Sequence, residues 1–116
     1  MEGFHDPFCR VPFPWHDLTD PTRPDLLTHY RAVGDLRKSP AFHGGDFKIL
    51  SHGESYIVYE RTATNGGDTI TIAVHRGEGT VTIPVEAEGS IALSCGEVDF
   101  KDGLLTMEAD SFCVLR

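Results

Sequence analysis

Six histidines invite a metal reading: His5, His16, His29, His43, His52 and His75. Their spacing does not support one. No pair has the i, i+4 separation that puts two imidazoles on one helical face, and none stands beside clustered cysteines. Solvated or hydrogen-bonded histidines are expected. Glu86-Ala87-Glu88 and Glu97-Val98-Asp99 suggest calcium at first sight. They lack the dense run of oxygen ligands a calcium loop needs, so they read as solvated surface. Cys9, Cys95 and Cys113 are odd in number and show no Cys-x-x-Cys pair, which argues against a zinc knuckle and a disulfide framework. Cys95 and Cys113 fit neighbouring strands, and no functional bridge is expected. Gly44-Gly45 and Gly66-Gly67 do not open helices and are turns rather than phosphate loops. No metal and no cofactor is expected.

The elements that carry these residues fall into three stretches. Residues 1 to about 24 hold Pro7, Pro12, Pro14, Pro21 and Pro24. That density is incompatible with a helix interior or a central strand, so an irregular loop is expected. From about 25 to 38, Leu26, Leu27, Tyr30, Val33 and Leu36 recur at helical spacing and make one apolar stripe. Pro24 and Asp25 suit its first turn. Arg37 and Lys38 suit its end, and Pro40 stops it.

From Asp46 the period changes to two. Phe47 and Ile49, Tyr56 and Val58, Ile70 with Ile72 and Val74, Val81 and Ile83, Ile91 and Leu93, Leu105 and Met107, and Phe112 and Val114 alternate with other residues. Turn signals separate them: His52-Gly53, Asn65-Gly66-Gly67-Asp68, Arg76-Gly77-Glu78-Gly79, Glu88-Gly89, Cys95-Gly96 and Lys101-Asp102-Gly103. Short strands at this spacing predict an antiparallel sandwich or barrel.

Composition narrows the partners. The chain has 116 residues and a formal net charge of −8. Such a surface repels nucleic acid and an anionic membrane, and no apolar run approaches the length of a membrane span. A neutral partner, a sugar or another protein surface, remains open. Met1-Glu2-Gly3-Phe4-His5-Asp6 has neither the basic nor the apolar part of a signal peptide. A cytoplasmic location is therefore expected, with its three thiols reduced.

Asp6, Pro7, Arg10, Pro12 and Trp15 match the pattern Asp-Pro-x-x-Arg-x-Pro-x-x-Trp. That pattern resembles the loop after the eighth barrel strand in glycoside hydrolase family 13, the α-amylase family. Within that family it resembles the neopullulanase, cyclomaltodextrinase and maltogenic amylase group. Residues Leu26 to Phe42 resemble the last barrel helix and its exit, with Gly45-Asp46-Phe47 at the family's Gly-Asp-Phe. Ile72-Ala73-Val74-His75-Arg76-Gly77 resembles the family's Val-Ala-Val-Asn-Arg-Gly, with His75 replacing Asn.

The resemblance implies a mainly β chain. Residues 1–42 would be the last loop and helix of a truncated (β/α)₈ barrel, and residues 43–116 a Greek-key antiparallel β-sandwich, the family's C-terminal domain. Met1 would be an internal methionine of a longer enzyme. The parent would hydrolyse α-1,4-glucosidic bonds in maltooligosaccharides, cyclodextrins or pullulan. Retaining glycosidases use two carboxylates roughly 5 Å apart, one nucleophile and one acid/base. In the family these lie on barrel strands four and five, with a third acid after strand seven. All precede this segment, so no catalytic residue is expected here.

Asp6 and Arg10 are the positions that would touch sugar, and only in the intact parent. A carboxylate accepts from sugar hydroxyls and a guanidinium presents a donor fork. The alternative is an Asp6–Arg10 pair that only fixes the loop. Trp15 is expected to plug the loop rather than stack on sugar. Tyr56 and Tyr59 are three apart on a strand and point to opposite faces. The expected partner is the parent's barrel, with α-glucan binding or self-association of the chain as alternatives.

Overall fold

The computed structural model describes residues 12–22 and 25–116. Its contacts divide the chain into two units, Met1–Ala32 and Val33–Arg116.

In the first unit, Trp15–Thr19 winds into a short 3-10 helix inside the proline-rich stretch. The proline density predicts an irregular loop here, and the short helix departs from it. The turn forms because Pro14 fixes the chain's direction while its carbonyl accepts from Asp17 N–H at 2.9 Å. Thr19 Oγ1 donates to the His16 carbonyl at 3.1 Å and tightens it. The α-helix, α1, runs Leu26–Leu36. Asp25 caps it, accepting from Thr28 N–H at 3.0 Å. The helix stops short of the expected Lys38. Pro40 pushes the residue before it out of the helical region, and Ser39 is extended at φ −61°, ψ 136°. Pro40–Phe42 then makes a second 3-10 turn.

The rest of the second unit is antiparallel β-structure. Its strands are β1 (Asp46–His52), β2 (Tyr56–Thr62), β3 (Thr69–His75), β4 (Val81–Pro84), β5 (Ile91–Cys95), β6 (Val98–Lys101), β7 (Leu104–Met107) and β8 (Ser111–Leu115). One sheet has the order β1-β2-β3-β8-β5 and the other β4-β7-β6. The last strand returns between β3 and β5, a Greek-key closure. Strand β6 carries no expectation from the sequence; Glu97-Val98-Asp99 had read as surface. Its Val98 and Phe100 pack on the core while Asp99 and Lys101 face out.

Alternation along each strand produces two apolar clusters, one on each face of the five-stranded sheet. Between the sheets lie Val58, Ala73, Cys113, Leu115, Ile83, Val85, Leu105 and Met107. On the other face lie Ile70, Ile72 and Val114, covered by Ala41 with Leu36 and Phe42. Tyr56 joins the first cluster and Tyr59 the second, as their odd spacing requires.

Both outer strands of the five-stranded sheet carry a bulge. In β1 the register slips between Ile49 and Ser51, leaving Leu50 extra. In β5 it slips between Ile91 and Leu93, leaving Ala92 extra. Pro84, which cannot donate to a ladder, closes β4 at the edge of the small sheet.

Candidate functional site

Asp6 and Arg10, the positions expected to meet sugar, lie outside the described residues, as do His5 and Cys9. What the first unit does describe is an open cleft of about 720 Å³. Phe13, Leu18, Leu26, Leu27 and Tyr30 supply its apolar wall, and Asp17, Asp20 and Asp25 border it.

Those carboxylates serve the backbone. Asp20 Oδ1 accepts from Thr22 N–H at 2.9 Å and Thr22 Oγ1 at 2.6 Å. These bonds hold the Asp20 carboxyl below the usual aspartate range. Hydrogen bonds from Thr28 do the same for Asp25. Asp17 meets His16 Nε2 at 3.0 Å. A glycosidase's acid must instead hold its proton near neutral pH, which requires a raised value. Chemically, Asp20 and Asp25 are acceptors that shape turns.

The wall of the cleft is more telling than its carboxylates. No residue of α1 is buried. Leu26 is 60% exposed, Tyr30 71% and Trp15 73%, and Leu27 and Val33 are exposed too. Trp15 meets the edge of the Phe13 ring, at 4.8 Å between centroids. Beyond the helix, Phe47, Ile49 and Leu50 of β1 are also exposed. Among the described residues, every exposed large apolar side chain lies between residues 13 and 50 except Val74 and Leu104.

The sandwich holds the remaining chemistry-bearing residues apart. Ser94 pairs with Cys113 and Cys95 with Phe112, so the thiols of Cys95 and Cys113 face opposite sides of the sheet. Both are free. Burial pushes the Cys113 thiol up to about 11. His75 is buried in β3, and its Nδ1 donates to the Glu108 carbonyl at 2.9 Å. A carbonyl can only accept, so the proton sits on Nδ1. Its Nε2 is, among the described residues, the one buried side-chain polar atom with no hydrogen-bond partner. The hydrogen-bonded histidine expected here is thus found at Nδ1, and the bare Nε2 is not foreseen by the spacing. Among the described residues no three His, Cys, Asp or Glu gather where a metal ion could be held. No described helix is long and apolar enough to cross a membrane.

Comparison with solved structures places this arrangement. A family GH13_31 enzyme superposes at a TM-score of 0.62 and is 26% identical, over 78% of this chain and 16% of that one. The mainly β, antiparallel chain matches the C-terminal β-sandwich of family 13 glycoside hydrolases. A MutB variant in complex with the substrate sucrose gives 0.68 at 14% identity, over 87% of this chain and 19% of that one. Another MutB variant, in complex with glucose, gives 0.67 at 14% identity over the same shares. The chain thus spans about a sixth to a fifth of the length of each of these three structures. No protein-family model matches the sequence, and neither does any curated protein.

Proposed function

We propose that this chain is a non-catalytic C-terminal piece of an α-amylase-family glycosidase, and that it stabilises the catalytic barrel of that enzyme. Residues 1–42 would be the last loop and helix of the barrel and residues 43–116 the sandwich behind it. The observation that carries the reading is the concentration of uncovered apolar side chains between residues 13 and 50. A helix whose stripe faces water at Leu26, Leu27, Tyr30 and Val33 has little reason to persist in a monomer of its own; it needs a surface to lie on. The barrel implied by the family resemblance would be such a surface. The parent would act on α-1,4-glucosidic bonds in maltooligosaccharides, cyclodextrins or pullulan, as a neopullulanase-like enzyme in the cytoplasm. In it, Asp6 and Arg10 would reach the sugar.

The test is direct. The purified chain, incubated with maltooligosaccharides, cyclodextrin and pullulan, should release no sugar. Turnover that survives purification controls overturns the reading. The DNA upstream of Met1 should encode, in frame, the rest of a barrel; a stop codon with no barrel beyond it counts the other way.

The exposed ring of Trp15, in edge contact with Phe13, favours one further reading: an α-glucan-binding module. Aromatic faces flanked by carboxylates are sugar-binding chemistry. Titration with maltoheptaose, followed by NMR, separates the two. A binder shifts the Trp15 indole resonance; a structural piece leaves it in place. Light scattering on the same sample tests self-association of the uncovered face.

A further inference from the structure

The segment between α1 and β1 is short, and few of its side chains are apolar. Yet Ser39 is 5% exposed and Ala41 is fully buried. Polar contacts add to the apolar packing of Ala41 and Phe42 in keeping it down. The polar groups converge on one residue, Asp68, in the β2–β3 turn. Ser39 Oγ donates to Asp68 Oδ2. Ala41 N–H reaches the same oxygen at 3.4 Å. Arg116 Nη2 stands 3.4 Å from Oδ1. From the other side, Arg61 Nε donates to the Ala41 carbonyl at 3.4 Å.

Asp68 is well placed to be an anchor. Its own backbone closes the turn, since its carbonyl accepts from Ala63 N–H at 2.8 Å. Gly66, at φ +70°, lets that turn reverse. Downstream, the segment is confined again at Gly45. A Cβ there would lie 1.9 Å from the Thr62 carbonyl oxygen, so the chain enters β1 pressed against β2.

We infer that Asp68 is a clasp: it holds the Ser39–Phe42 segment, and with it the exit of α1, onto the sandwich, and its loss frees that segment while both sheets stay folded. The inference rests on this geometry alone and does not depend on which enzyme the chain came from. A charged acceptor that takes two donors and faces a guanidinium is stronger than a neutral one. The segment's apolar anchors are small by comparison, Ala41 and the half-buried Leu36 and Phe42.

The experiment is amide hydrogen exchange on the full chain, comparing wild type with Asp68→Ala. The informative amides are those with no bond to Asp68: Phe42 N–H, which donates to the Ser39 carbonyl at 3.0 Å, and His43 N–H, which donates to the Pro40 carbonyl at 3.0 Å. In the variant both should exchange roughly tenfold faster or more, the scale of losing a hydrogen-bonded charge. Sheet amides of Ala73 and Val114 should keep their protection. Asp68→Asn retains an acceptor and should fall between the two. If Phe42 and His43 keep wild-type protection, Asp68 is not the clasp. If the sheet amides open equally, Asp68 stabilises the whole sandwich, and the inference also fails. Should Asp68→Ala not fold, Ser39→Ala provides the readout: it removes one of the two donors and must speed Phe42 and His43 selectively, or the clasp is refuted.

Discussion

Leu26 and Leu105 are the same residue in opposite circumstances. Leu26 stands 60% exposed at the start of α1, and Leu105 is fully buried between the two sheets. The contrast extends to their surroundings. The strands pair edge to edge and bury alternate side chains against one another, whereas α1 buries none of its own. A sandwich can satisfy its apolar residues by closing two sheets on each other. A single amphipathic helix cannot, and needs a second surface. Having one element of each kind in one chain separates what folds by itself from what is shaped for something else.

The largest effect that can break this comparison is in the core. Leu105→Ala should lower the unfolding free energy by about 2–5 kcal/mol, the cost of a cavity that neighbours cannot fill. Urea denaturation followed by circular dichroism measures it. A loss well under 1 kcal/mol would mean the inter-sheet core is loosely packed and the contrast false.

A smaller effect belongs to the polar tie between the helix exit and the sandwich. The hydrogen bond from Ser39 holds the Asp68 carboxyl below the usual aspartate range, with help from Ala41 N–H and Arg116. A group whose folded value is depressed stabilises the fold above its unfolded value. That stabilisation fades as pH falls from about 3.9, the ordinary aspartate value, toward the depressed one. Wild type should therefore be more stable than Asp68→Asn at pH 6, and the gap should narrow by pH 3. Thermal melts across that range report it. A gap of constant size would show that the charge contributes nothing.

The smallest effect sharpens the comparison from the exposed side. Leu26→Ala removes a side chain that faces water and improves helix propensity slightly. The change should be within about 0.5 kcal/mol, as for surface positions generally. A loss resembling that of Leu105→Ala would show the stripe already covered in the isolated chain.

The same contrast explains what the sequence revealed. Ile70, Ile72 and Val74 announce a strand because alternation is a property of neighbours two apart, and the structure forms β3 there. Asp25 marks the helix start for the same local reason, although its role as the cap is seen only in the structure. Strand β6 escaped because only Val98 and Phe100 carry its alternation, and the flanking Glu97 and Asp99 read as solvated surface. The helix end was placed at Lys38 from its charge pattern; the extended geometry that Pro40 imposes on Ser39 ends it earlier. Asp68 was visible only as the last residue of a turn. Its partner Ser39 is 29 residues away, and no pattern within one window links them. The unpartnered Nε2 of His75 depends on packing between sheets, which a lone sequence does not encode legibly. Asp6 and Arg10 were read from a resemblance, and they fall outside the described residues.

The slipped registers of β1 and β5 have one more consequence. A sheet edge with a regular row of open amides and carbonyls is a template on which a foreign strand can zip. Here both borders of the large sheet are out of step by one residue, at Leu50 and Ala92. A bulge bends its strand and breaks the ladder at that point. The small sheet ends on Pro84 at one border and on the charged Asp99 and Lys101 at the other. Apolar though the β1 surface is, fibre-like growth from strand to strand has no uninterrupted rung to start from.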